Sequence, residues 1–188
     1  MESNDMITIE DFRKRISNIK LEEMTSEDID GYLAYGTEEE LNNPEFQRIL
    51  VQRNYITDLM DSVDIITDRE VIKAILSSNA FKEDGYKIIE AEILSIRRKV
   101  FIKSTNGNVY CSSVRLRNKH NSKIYELKHQ VFMKTGALEE YKAKLKPYYN
   151  DVAVIVRKSN TSNEYLIICY LKKYEDIDYN SNGDDDIS

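Results

Sequence analysis

The chain has no tryptophan, two prolines, six glycines, two cysteines and two histidines in 188 residues. So little glycine and proline excludes a collagen-like or linker-dominated chain. No stretch approaches the roughly 20 consecutive apolar residues that a membrane-spanning helix needs. The first residues, MESNDMITIEDF, place acids where a secretory leader carries bases, and no apolar h-region follows. An intracellular, cytoplasmic setting is therefore expected. In that setting Cys111 and Cys169, both in strand-like segments, read as small buried side chains, with a disulfide as the alternative.

Catalytic signatures are scarce as well. The sequence has no HExxH, paired CxxC, Walker loop or GxSxG. Cys111 and His129 are an imaginable nucleophile and base, but a buried strand cysteine and a surface histidine explain them more simply. Asp58, Asp61 and Asp64 have helical spacing, which is more simply a solvated helix face than a metal site. The expectation is a protein that is not an enzyme and uses no metal or cofactor.

What the chain does have is charge, and the charge is sorted. The formal net is −6. Residues 1–84 hold 20 acids and 9 bases, a net of −11, whereas residues 85–173 hold 7 acids and 18 bases, a net of +11. Residues 174–188 hold 6 acids and no base. A basic segment between two acidic ones points to a polyanion as the partner of the middle of the chain.

The hydrophobic period changes along the chain in step with the charge. Over the first 80 residues it is helical. Thr8 and Thr25 are placed as N-caps, and Gly36 as a stop. Pro44 suits the first turn of a long helix over about 44 to 65, and Thr67 with Glu70 forms a capping box. An acidic bundle of three or four helices is expected over 1–84, with the boundary in NAFKEDGY, residues 79 to 86. Beyond it YKIIEAEILSI, KVFIKST and VYCSSVRLR read as strands, the last two joined by a turn at Asn106-Gly107-Asn108. KIYELKH is a further short strand, TGALEEYKAKLK a capped helix ended by Pro147, and DVAVIVRK with EYLIICYLKKY a second hairpin.

Three strands, a helix and two strands over 85–174 resemble the OB-fold, the five-stranded Greek-key barrel with a helix between strands three and four. The fold class is thus α+β: a small helical bundle, an OB-like barrel, and an acidic tail over 175–188 expected to be disordered. A split α+β sheet of the same local elements is the alternative. In OB-folds strands two and three carry oligonucleotides. On that resemblance the basic hairpin supplies Arg97, Arg98, Lys99 and Lys103 on one strand and Arg115, Arg117 and Lys119 on the next. Phe101, sharing its pleat side with Lys99 and Lys103, is a stacking platform, and Tyr110 and Tyr125 are further aromatic candidates. Parity with Val114 and Leu116 makes Tyr110 a core tyrosine unless a bulge resets the register.

The chain's last residues, with Asp184, Asp185, Asp186 and Ile187, are similar to the acidic tip of bacterial single-stranded-DNA-binding proteins. That resemblance implies recruitment of replication or repair proteins through the tip. The family closes on Pro-Phe, whereas this sequence closes on Ile187-Ser188, which argues against the same host docking. A composition rich in Asn, Ile, Lys and Tyr resembles proteins of AT-rich phages or low-GC bacteria. The expected function is sequence-tolerant binding of single-stranded nucleic acid, DNA before RNA. The alternative is a protein-interaction, virion-assembly or inhibitory module that acts through the acidic helices.

Overall fold

The computed structural model describes residues 8–102, 109–129, 137–179 and 187, without the side chains of residues 101, 102 and 109. The chain forms two compact units, Met1–Val63 and Asp64–Ser188. Among the described residues no helix is long and apolar enough to cross a membrane.

The first unit consists of α1 (Ile9–Ile16), α2 (Ser26–Tyr35), α3 (Glu38–Leu41), α4 (Pro44–Gln52) and α5 (Ile56–Ser62). Caps set most of the starts. Thr8 accepts the Asp11 amide at 3.1 Å, and capping boxes join Thr25 to Asp28 and Thr37 to Glu40. The long helix expected over 44–65 is two helices. Asn54 takes a left-handed φ of 64°, and the Tyr55 amide reaches back to the Leu50 carbonyl at 2.8 Å. This six-to-one bond is the Schellman stop, in which asparagine tolerates the conformation better than most residues. Because α5 ends at Ser62, Asp64 does not share a helix face with Asp58 and Asp61. Phe12, Tyr32 and Phe46 form the aromatic centre of this core, with ring centroids 5.1 and 4.7 Å apart.

The second unit opens with β1 (Ile65–Ile66), α6 (Arg69–Ser77) and α7 (Asn79–Glu83). Residues 64–84, which their helical period had grouped with the first helices, thus belong with the strands. The tie is backbone pairing: β1 runs parallel to β6 (Tyr165–Lys172), and the Tyr170 amide donates to the Asp64 carbonyl at 2.9 Å. Asp68, and not Thr67, caps α6 by accepting the Val71 amide at 3.0 Å.

The remaining strands are β2 (Lys87–Ile102), β3 (Val109–Asn118), β4 (Ile124–His129) and β5 (Val152–Lys158), with α8 (Ala137–Leu145) between β4 and β5. Pairing runs β2–β3–β4–β6–β5 and closes through β5 onto β2. Only β4 and β6 are parallel within this ring. The result is a closed five-stranded mixed barrel with the strand order of an OB-fold. One strand count changes. YKIIEAEILSI and the KVFI of KVFIKST are not in successive strands but in one 16-residue strand, β2, so KIYELKH (β4) is the third strand and not an accessory. The NGN turn at 106–108 lies outside the described residues.

β2 spans so far because it serves two neighbours. Residues 87–91 pair with β5, and residues from Ala91 onward pair with β3. A register shift between Ile93 and Ser95 leaves Leu94 as an extra residue. Before this bulge Ile89, Ala91 and Ile93 are buried, and after it the next buried residue is Ile96. The bulge thus reverses the inward parity of the strand. Branched apolar side chains of β5 (Val152, Val154, Val156) and β3 (Val114, Leu116) fill the barrel with Tyr141 and Leu145 of α8. Each such side chain contributes about 1.5–3 kcal/mol by leaving water.

One polar chain crosses this interior. His129 Nδ1 lies 2.7 Å from the Tyr141 hydroxyl, which lies 2.7 Å from the Tyr170 hydroxyl, and His129 Nε2 is 3.2 Å from the Ile168 carbonyl. His129 is therefore a buried residue, not the surface one expected. Burial lowers its pKa to about 4, against a smaller upward pull from Asp64 and the Ile168 carbonyl. The unfolded chain, with a histidine pKa near ~6.5, takes up the proton first as pH falls. The stability it contributes is complete above about pH 6.5 and is lost progressively toward pH 4, by about 3 kcal/mol in all. Urea unfolding from pH 7.5 to 4.5 is expected to show this slope in the wild type, and His129→Gln is expected to flatten it.

Candidate nucleic-acid interface

Cross-strand register decides which side chains share a face, because paired residues point the same way. After the bulge, three outward rows run across β2, β3 and β4. They are Ser95–Arg115–Glu126, Arg97–Ser113–Lys128, and Lys99–Cys111 at the far end. A further row, Glu92–Arg117–Ile124, precedes them on the same side. One outer face therefore gathers Arg97, Lys99, Arg115, Arg117 and Lys128 against Glu92 and Glu126. From Cys111 to Arg117 it spans about 20 Å at the usual strand rise.

Both carboxylates are engaged. Glu126 accepts from Arg97 at 2.9 Å and from the Ser113 hydroxyl at 3.2 Å, and these hydrogen bonds, Arg97 first, hold its carboxyl below the usual range. Glu92 accepts from Arg117 at 2.5 Å. Among the described residues Lys99 and Arg115 have no carboxylate within ion-pair distance. Cys111, between Lys99 and Lys128, is buried, and burial pushes its thiol pKa up, so the inert thiol dominates there.

The sequence-proposed residues divide among different places. Arg97, Lys99, Arg115 and Arg117 share the outer face. Arg98 is on the opposite side of β2, where its guanidinium sits 4.2 Å from the Tyr110 ring centroid. Tyr110 packs against the barrel core, as its parity with Val114 suggested, and is covered by that arginine. Tyr125 also points inward from β4 and packs against the core, its hydroxyl buried without a hydrogen-bond partner among the described residues. Lys119, beyond the end of β3, is tied to Asp151 and the Asn150 carbonyl, each at 3.2 Å. The Phe101 side chain, Lys103 and Asp184–Asp186 lie outside the described residues.

Lys128 was missed. Its signal was present in KIYELKH, where Ile124, Glu126 and Lys128 alternate with Tyr125, Leu127 and His129. Treating that stretch as accessory hid a third strand of the face. A cavity of about 420 Å³ lies beside it, between Lys99, Ser113 and Lys128 on one side and Lys158, Asn163 and Tyr165 on the other. Ile187 also lines it and is 7% exposed, joined to the barrel's apolar core.

Residues 175–179, which the sequence reading placed in the tail, are fastened to the second unit. The Tyr174 hydroxyl donates to the Thr67 carbonyl at 2.5 Å, and Asp176 pairs with Arg69. The Tyr179 hydroxyl donates to the Lys172 carbonyl at 2.6 Å and accepts the Tyr174 amide at 2.9 Å.

Comparison of the chain with protein-family models, with curated proteins and with solved structures gave no match.

Glu126 is the carboxylate that most directly offsets the outer cations. Glu126→Gln keeps an acceptor for Ser113 but releases the charge of Arg97. The variant is expected to leave a heparin column at higher salt than the wild type, with an unchanged unfolding midpoint.

Proposed function

We propose that the protein binds single-stranded nucleic acid, with little sequence preference, on the outer face of β2, β3 and β4. The observation that carries this reading is the register. It brings five cations from three strands onto one face of a closed barrel with OB-fold strand order. Flexible polyanions are bound in this way by a positive surface that tracks the backbone. The face is made of outward side chains on paired strands, and the pairing fixes the spacing of the rows that carry them.

The central row fits best. Arg115, unpaired among the described residues, sits between the Arg97–Lys128 row and Arg117. A phosphate chain crossing β3 would meet Lys99, Lys128, Arg115 and Arg117 in turn. Aromatic stacking, the second component of single-strand binding, rests on Phe101, whose backbone belongs to β2 two residues after Lys99, at the register shift between Val100 and Ile102. Recruitment of replication or repair proteins through Asp184–Ile187 is the partner role proposed with it, and the host cytoplasm is the corresponding setting.

Fluorescence anisotropy with labelled oligo-dT and oligo-rU tests the proposal and separates DNA from RNA. Binding is expected to weaken with salt at a log–log slope of about −3 to −4, from five phosphate contacts at about 0.7 each. Arg115→Ala with Arg117→Ala and Lys128→Ala is expected to reduce that slope by about 2. Binding that is absent at low salt, or indifferent to the triple substitution, rejects the proposal and turns attention to the acidic helical unit.

A further inference from the structure

The cavity beside the outer face has walls of both signs, and a surface built only for phosphates has no use for acids. Lys99, Lys128 and Lys158 line it, but so do Glu126 and Glu164. Glu126 is occupied by Arg97 and Ser113. Glu164 meets Lys128 at 3.9 Å with its side chain 61% exposed. An ion pair that long and that wet contributes little, so this carboxylate is available to a ligand.

The walls are also fixed. Tyr165 is the aromatic side of the cavity, paired with Lys158 across β5 and β6 and packed against the barrel core. The Lys87 ammonium, which is not part of the lining, sits 5.5 Å from the Tyr165 ring centroid. The loop carrying Asn163 and Glu164 closes on itself. There the Ser159 amide donates to the Glu164 carbonyl at 2.7 Å, and the Ser159 hydroxyl accepts the Thr161 and Ser162 amides at 3.3 and 3.4 Å. Asn163 takes a left-handed φ of 59° in that loop. The volume, about 420 Å³, falls within the roughly 300–1,000 Å³ of small-molecule sites.

We infer that this cavity receives one base of the bound strand and selects a base that carries an amino group, cytosine in the simplest case. The inference rests on the proposed interface and names what its edge reads, because Lys99, Ser113 and Lys128 belong to both. A nucleotide has the two characters that the walls require. Its phosphate answers Lys99 and Lys128, and its ring stacks on Tyr165. Cytosine presents an amine donor at N4 beside ring acceptors, where thymine places a carbonyl oxygen. The Glu164 carboxylate accepts from that amine and repels the thymine carbonyl. Asn163 and Lys158 supply donors for the ring acceptors. Selection at one position is compatible with tolerance elsewhere, since the rest of the face meets phosphates.

Fluorescence anisotropy with oligo-dC and oligo-dT of equal length measures the selection, because the two carry the same phosphates. Oligo-dC is expected to bind roughly fivefold tighter, the lower end of what one good side-chain contact to a base discriminates. Glu164→Ala is expected to erase that preference while oligo-dT binding holds or tightens, a pattern that unfolding does not produce. Tyr165→Leu keeps an apolar contact with the core and is expected to weaken both oligonucleotides about fivefold. Equal affinity of the wild type for the two, or a preference untouched by Glu164→Ala, overturns the inference and leaves the interface standing. So does unchanged binding by Tyr165→Leu. Free dCMP is expected to compete only at far higher concentration than oligo-dC, and competition at equal concentration would overturn the assignment to a strand in favour of a free nucleotide. Absence of binding by either oligonucleotide at low salt overturns the interface and the inference together.

Discussion

The closure of the barrel by β5 is the constraint from which the rest of the second unit follows. β5 pairs with β2 on one side and β6 on the other, and it is buried from Val152 to Val156. Because the ring closes, the inner faces of all five strands are committed to an apolar core, and no edge within the ring is left for pairing. Any binding must use outward side chains or the mouth of the barrel. Closure also forces β2 to be long, since it has to reach β5 with its first residues and β3 with its last. The bulge at Leu94 reconciles the two halves by reversing parity, and in doing so it puts Arg97 and Lys99 outside.

Polar groups inside the barrel are handled by pairing, not exclusion. His129, Tyr141 and Tyr170 satisfy one another in a line from β4 through α8 to β6. That line ties the helix to both sides of the sheet at the point where β4 and β6 run parallel. The arrangement keeps the histidine neutral and makes the interior sensitive to acid.

Much of this was legible in the chain. Element order alone indicated an OB-like barrel, because apolar strand runs, one amphipathic helix and turn residues occur in that sequence. The sorting of charge indicated a basic barrel. The limits were local and have local causes. Asn54 split a helix that its apolar spacing made continuous, because a left-handed residue ends a helix without disturbing the period. KVFIKST was separated from YKIIEAEILSI because the adjacent charges Arg97 and Arg98 interrupt the apolar pattern, although the strand runs on through them. His129 looked like a surface residue because its polar partners, the Tyr141 hydroxyl and the Ile168 carbonyl, lie 12 and 39 residues away.

The sequence by itself determined the class of structure, the acidic and basic halves, and the cations of β2 and β3, because composition and period are properties of neighbours along the chain. Only the tertiary structure decided which of those cations act together. Arg97 joins Arg115 and Lys128 while Arg98 turns to Tyr110, and Ile187 returns to a cavity beside Lys99. These outcomes depend on the strand register and on ring closure, which are set by pairing between residues far apart in the chain and leave no trace in any short stretch of it.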